Sequence, residues 1–348
     1  LKKIAYIEID THAEIAQAFM DIMKDSSGFS VDYYFSKKIK DLVEESGESV
    51  FLSDSSMIME QLKLKKYDLI IIGTVHRYFN TFYALTQKYN TSVIVHNMNF
   101  SVASKGALMR SIFKGDIIYR LKLWWKEGLF YTSKTYRNAK SLLVLDEELE
   151  SGNYKFLPLF YSGNFEKHEN NVLTIVIPGG VSQKRRDYHH VFETIQNLKT
   201  EEKCAFIFLG KAKDKELDQL KKLSQKLPEN VSIQYFSDRV SHSDFEEGMR
   251  KADVLWCPIR QKTEFFSMEE TYGVTKMTGN MGDAVRYRKI AVFPKDYPSK
   301  LEFIIPEKEN ILEQCKTLKN THFDFQGNYN KKAVLKKLED VLSGLVSI

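Results

Sequence analysis

Short apolar runs of strand length, each followed by a polar turn and an amphipathic segment, recur along this chain, and the pattern starts afresh near residue 172. In the first half the runs are 4–9, 31–35, 67–72, 91–95 and 141–146; in the second they are 172–177, 204–210, 231–236, 252–258 and 290–294. Many are apolar throughout rather than alternating, as strands buried on both faces of a parallel sheet are. Strand and helix in strict alternation predict an open parallel sheet, and the restart predicts two of them. A length of 348 residues suits two domains of ordinary size. The expected fold class is therefore α/β, with two Rossmann-like domains, residues 1–165 and 166–325. The polar stretch 161–171 reads as their linker. A terminal segment, 326–348, carries Val334, Leu335, Leu338, Val341, Leu342 and Leu345 on one helical stripe and is expected to pack back on the first domain.

Composition narrows the setting. With 43% hydrophobic and 28% charged residues the chain is expected to fold rather than stay disordered. Cys204, Cys257 and Cys315 are widely spaced, and the surroundings of Cys204 and Cys257 are apolar. That usage fits free thiols in a reducing compartment rather than a disulfide framework. No leader-like start and no uninterrupted membrane-spanning run is read, so the expected location is the cytoplasm. A net charge of +5 permits an anionic partner without choosing one. Residues 105–140 are more specific: nine basic residues against Asp116 and Glu127, interleaved with Phe113, Ile117, Ile118, Trp124, Trp125 and other apolar side chains. Such a segment suits an anionic membrane surface, peripheral on the cytoplasmic face, while the competing reading puts the aromatics in the core; nucleic acid is not expected.

Ligands of open α/β sheets bind beyond the carboxyl ends of the strands, which directs attention to the residues there. After the first run come Asp10, Thr11 and His12, with Thr11 and Glu14 spaced as a capping box and no G-x-G-x-x-G fingerprint. His76 and His96 each lie just past a later strand. In the second half, Gly179 and Gly180 let the backbone turn closely, and Lys184, Arg185 and Arg186 follow as charges for a diphosphate. Late in the chain, Glu270, Tyr272, Gly273, Lys276, Thr278, Gly279 and Asp283 form a polar, glycine-rich stretch between two apolar runs. Its spacing is not that of a P-loop, yet backbone donors and a lysine can hold a phosphate. No D-x-D constellation or His/Cys cluster calls for a metal.

In residues 172–294 the chain resembles the group-1 type nucleotide-sugar glycosyltransferases of bacterial glycan synthesis. The Pro178-Gly179-Gly180 to Tyr188 loop, the strand Asp253-Val254-Leu255-Trp256-Cys257-Pro258 and the stretch from Glu269 to Ala284 carry the resemblance. It implies the GT-B architecture, two Rossmann-like domains facing a cleft, with polysaccharide biosynthesis as the setting. It further implies a nucleoside-diphosphate sugar as donor substrate held by the second domain, and a glycan or lipid-linked acceptor held by the first. No tightly bound cofactor and no required metal are expected. Many retaining members carry two glutamates separated by seven residues; here the residue eight after Glu270 is Thr278, and Asp283 is the candidate for the related polar position. Retention is slightly favoured, with His96 on the transferred sugar and Glu270 on sugar or ribose hydroxyls. An inverting route would draw its base from Asp10, His12 or His76. Lys276 with Arg185 or Arg186 would stabilise the departing diphosphate. The alternatives are a noncatalytic anionic-sugar or membrane-surface binding protein and a nucleotide-sugar epimerase of the same architecture.

Overall fold

The computed structural model describes residues 1–44, 47–163 and 171–347. Most of the expected linker, 164–170, therefore lies outside the described residues. The chain divides into two compact units. Unit 1 comprises Leu1–Phe160, Glu264–Met277 and Lys331–Ile348; unit 2 comprises Tyr161–Thr263 and Thr278–Asn330.

Unit 1 is built on a parallel sheet of seven strands: β1 (Lys2–Glu8), β2 (Phe29–Phe35), β3 (Val50–Leu52), β4 (Leu69–Ile72), β5 (Thr91–Ile94), β6 (Ser141–Val144) and β7 (Tyr154–Phe156). Their order is β3-β2-β1-β4-β5-β6-β7, all parallel. The four residues of β4 are buried without exception, as a central parallel strand covered on both faces requires. Edge strands β3 and β7, three residues each, are too short to show a period and escape the sequence pattern. The chain leaves β1 first toward β2 and later returns to its other side as β4. That reversal is the topological switch point of this sheet, and it lies between β1 and β4. The terminal helix Lys331–Val346 belongs to this unit, burying Val334, Leu338, Leu342 and Leu345. Lys331 pairs with Asp25 at 2.6 Å, and Ser26 donates to Glu339 at 2.5 Å.

Unit 2 carries β8 (Leu173–Pro178), β9 (Cys204–Lys211), β10 (Val231–Phe236) and β11 (Val254–Trp256). The chain then makes an excursion through a two-stranded sheet, β12 (Lys262–Phe265) and β13 (Met268–Thr271), before resuming as β14 (Ala291–Phe293) and β15 (Ile304–Pro306). The parallel order β10-β9-β8-β11-β14-β15 puts the switch point between β8 and β11. Trp256 is wholly buried, with its indole N–H donating to Glu307 at 3.0 Å. Cys204, Cys257 and Cys315 are buried free thiols.

Two expectations change. Helix Ala13–Met23 is not capped by Thr11: His12 occupies the cap position in a left-handed conformation (φ 63°), and the Thr11 N–H bonds back to Glu8 at 3.2 Å. Glu14 consequently turns to His12 instead of closing a capping box. Residues Glu264–Met277, expected with the second domain, pack with the first. The reason is apolar: Phe265, Phe266 and Met268 lie against the unit 1 core, with Phe100 at 4.9 Å from the Phe265 ring and 5.2 Å from that of Phe266. Of the two readings of residues 105–140, the one that puts the aromatics in the core is not met as a block. These residues form helices Lys105–Ile112, Ile117–Glu127 and Thr132–Asn138, and Trp124 and Trp125 are exposed.

Candidate functional site

At the switch point of unit 1, parallel strands of matched register end side by side, and three loops leave from β1, β4 and β5. Each carries one histidine. The rings of His12 and His96 stack with centroids 3.9 Å apart and planes 12° from parallel. His76 stands edge-on to both, at 5.9 Å from His12 and 5.7 Å from His96. The hydrogen bonds fix what each ring can do. The His96 Nε2–H donates to the Gly73 carbonyl at 2.8 Å, which leaves Nδ1 without a proton in the neutral ring. His76 Nε2 accepts from the Asn97 amide at 3.1 Å, and Asn97 Oδ1 in turn accepts from the Lys276 ammonium. Burial, reinforced by His12, holds both His76 and His96 well below the usual imidazole range, so both are neutral at pH 7. The His12 Nδ1 is 2.8 Å from Glu14 Oε1, which leaves Nε2 as the proton acceptor of a histidine–carboxylate pair.

A carboxylate not singled out in the sequence supports this group. Glu8, the last residue of β1, accepts from the Thr74 hydroxyl at 2.6 Å and from the Asp10 and Thr11 N–H groups at 3.1 and 3.2 Å. It thereby ties the loop after β1 to the loop after β4. Burial pushes its carboxyl up to about 7. Gly73 makes the approach possible: a Cβ there would lie 2.6 Å from Glu8 Oε2 and 2.9 Å from the Tyr6 hydroxyl. Burial also raises Asp10, with Arg77 and Lys38 opposing it.

The β12–β13 hairpin completes the unit 1 site. Its two turn residues, Phe266 and Ser267, both have positive φ, the signature of a type I′ turn. Phe265 lies 4.4 Å from the His76 ring. Beyond β13 the chain turns sharply at Gly273 (φ 78°), whose N–H bonds to the Lys276 carbonyl at 2.8 Å, and this directs Lys276 to Asn97. The Lys276 ammonium also sits 5.9 Å from the Tyr272 ring. Glu270 is fully buried, and its carboxylate accepts from the Phe100 and Asn99 N–H groups at 2.9 and 3.3 Å. Its place is thus the start of the short helix Met98–Ser101 rather than an open surface.

Unit 2 gathers a separate set at its own switch point. The turn after β8 runs through Gly179 (φ 99°), against which the Arg186 guanidinium packs so closely that a Cβ would lie 2.2 Å from its Nη2. Arg186 donates to Asn280 Oδ1 at 3.1 Å and to the Gly180 carbonyl at 3.4 Å, while its buried Nε has no protein partner. Asn280 also donates to the Pro178 carbonyl at 3.2 Å and to Asp283 at 3.4 Å. Thr278 caps helix Gly279–Tyr287, whose positive end therefore adjoins the Gly179 turn. A Cβ on Gly279 would meet nothing within 4 Å, so this helix end opens on free space. Lys184 and Arg185 are exposed beside the same loop.

The sequence candidates thus fall into two groups. His12, His76, His96, Asp10 and Lys276 converge in unit 1, and Gly179, Gly180, Arg186, Thr278, Gly279 and Asp283 in unit 2. Glu8, Asn97 and Asn280 were missed. Asn97 follows His96 directly after a strand and Asn280 sits in the first turn of a glycine-led helix, so position alone could have flagged both. Among the described residues no group of three or more His, Cys, Asp or Glu side chains could hold a metal ion.

No protein-family model matches the sequence, and no curated protein matches it. Solved structures do match in fold. A glycosyltransferase from Rickettsia africae ESF-5 is similar with a TM-score of 0.59 at 10% identity, over 99% of this chain and 98% of that one. The UDP-GlcNAc 2-epimerase from Methanocaldococcus jannaschii gives 0.54 at 9% identity, over 98% and 99%. That from Neisseria meningitidis, bound to UDP-GlcNAc, gives 0.52 at 11%, over 98% and 100%. At such identities the likeness is one of fold, and the fold of this chain is the GT-B architecture of two Rossmann-like domains.

Proposed function

We propose that the protein transfers a glycosyl group, most simply a hexosyl group, from a nucleoside-diphosphate sugar to a hydroxyl of a glycan or lipid-linked acceptor. The observation that carries this reading is the His12–Glu14 pair stacked on neutral His96 at the switch point of unit 1. A proton acceptor oriented by a carboxylate, beside uncharged imidazoles, is suited to deprotonating a sugar hydroxyl at neutral pH. In unit 2, Arg186, the Gly179–Gly180 turn and the positive end of helix Gly279–Tyr287 supply the donors a diphosphate needs.

In the proposed step the acceptor oxygen bonds to the anomeric carbon as the bond from that carbon to the β-phosphate oxygen breaks. The electron pair leaves with the diphosphate, and the acceptor proton passes to His12 Nε2. Negative charge that grows on the leaving group meets Arg186 and the helix end, a preorganised arrangement that does the work a metal would otherwise do. His96 and Lys276 are assigned in this reading to contacts with the transferred sugar. The base-assisted route supported by His12 is inverting; the slight preference for retention came from loop resemblance, and this geometry weighs against it.

The test is a thermal-shift screen of UDP, GDP, CDP and dTDP, followed by diphosphate release with the matching sugar nucleotides. One diphosphate is expected to stabilise selectively, by about 2.7 kcal/mol at a hundredfold excess over Kd. Arg186→Ala should remove that shift. His12→Ala should keep it yet lower turnover about 10²–10⁴-fold. No response to any diphosphate from folded protein overturns the reading and favours a noncatalytic binding protein. A nucleotide-sugar epimerase is the second reading, favoured by the buried Glu8 carboxyl, bonded at 2.6 Å to a Thr74 hydroxyl that lies 3.5 Å from His96 Nε2; it would consume donor with no acceptor present.

A further inference from the structure

Helix Ile117–Glu127 in unit 1 is amphipathic the wrong way round for a helix that merely packs. At 100° per residue, Trp124, Ile117, Leu121, Trp125 and Ile118 form one apolar stripe about 120° wide. All five are exposed, Ile118 at 84% and Trp125 at 87%. The core side of the helix is occupied by Leu123 and Glu127 alone, with Arg120 half-buried. Phe113, at the end of the preceding helix, is 66% exposed. Lys122 borders the stripe along the helix, Lys126 lies on the polar face beyond Lys122, and Lys114 precedes the helix, all three exposed. The segment's two acidic groups do not oppose them: Asp116 caps the helix through the Tyr119 N–H at 3.0 Å, and Glu127 is buried.

We propose that this helix seats unit 1 on an anionic lipid bilayer, lying in the headgroup plane with its apolar stripe inserted and its lysines on the lipid phosphates. An exposed apolar stripe bordered by cations is the chemistry such a surface recognises, and it needs no spanning segment. Among the described residues no helix is long and apolar enough to cross a membrane. The helix is also firmly attached: Glu127 accepts from Arg77 at 2.6 and 3.2 Å and from the Tyr78 N–H at 3.1 Å. Arg77 and Tyr78 directly follow His76, so the seated helix ends against a loop of the histidine site. If the transfer reading above holds, the acceptor is accordingly lipid-linked and is presented at the bilayer surface; the seating itself does not depend on that reading.

The experiment is co-sedimentation of the full chain with phosphatidylcholine vesicles, with and without phosphatidylglycerol, at low and high salt. Binding is expected with the anionic vesicles, weakened by salt, and accompanied by a blue shift of tryptophan fluorescence from Trp124 and Trp125, since Trp256 is already buried. Replacing Lys114, Lys122 and Lys126 together by Ala should weaken partitioning about 100-fold. The double variant Ile118→Ser, Trp125→Ser should abolish the blue shift. Both variants alter exposed side chains, so unchanged thermal melts and unchanged diphosphate-induced shifts are expected and separate this test from that of the transfer reading. Equal recovery in the unbound fraction with both vesicle types overturns the proposal. So does self-association by sedimentation that the double variant removes, which would assign the stripe to a second copy of the chain.

Discussion

Between pH 4.5 and 6.5 the Glu8 carboxyl and the imidazoles of His76 and His96 affect stability in opposite senses. The histidines have folded values below 6.5, so the unfolded chain binds more protons there and their contribution is lost as pH falls. Glu8 is the reverse. Its folded value of about 7 lies above the ordinary 4.5, so the native state holds the extra proton and stability is lost as pH rises toward 7. Removing that opposing group should unmask the histidines. Glu8→Gln is expected to steepen the rise of unfolding free energy from pH 5 to 6.5 by about 1.4 kcal/mol per pH unit. Urea melts across that range check it, and parallel profiles for variant and parent would refute it. The three histidines were legible because each follows a strand. Their stacking was not, since it depends on β1, β4 and β5 lying side by side. Lys276 was read as a phosphate ligand from its glycine-rich neighbours, whereas a hydrogen bond to Asn97 holds it in unit 1.

Two glycines make opposite predictions for the elements that contain them. A methyl group at Gly73 would collide with Glu8 and Tyr6, both buried, so Gly73→Ala should destabilise by about 1–3 kcal/mol and loosen the link between the β1 and β4 loops. At Gly279 a methyl group meets nothing, and Gly279→Ala in the first turn of its helix should leave thermal stability equal or higher, by up to about 1 kcal/mol. If a diphosphate docks there, the same variant should bind it at least tenfold more weakly; titration calorimetry on both variants tests this, and undiminished affinity in Gly279→Ala would move the diphosphate away from that helix end. The terminal helix Lys331–Val346 was well marked by its period. The β12–β13 hairpin was not. Its strands are four residues long and mix charged with apolar side chains, and what the hairpin packs on through Phe265 and Phe266 is Phe100, far away in sequence.

At the scale of the whole molecule, the repeated strand–helix pattern was enough to foresee two parallel sheets, because each strand announces itself locally. Which later segments join which sheet is a long-range matter that no local period records. Unit 1 takes Glu264–Met277 and Lys331–Ile348 from the far end of the chain. Deleting 331–348 should therefore weaken unit 1 specifically, by removing Val334, Leu338, Leu342 and Leu345 from its core. Hydrogen exchange would show the loss at β1, β2 and β4, and a loss confined to β8, β9 and β11 would contradict it. The same division governs how the protein is made. Emerging from the ribosome, residues 1–160 can lay down all seven strands of the first sheet but lack the hairpin that places Lys276 and the helix that closes its flank. At roughly 5–20 residues per second the wait is on the order of ten to forty seconds. The unit begun first is thus the last to be finished, and a nascent chain stalled before Glu264 would carry the three histidines with neither Phe265 nor Lys276 beside them.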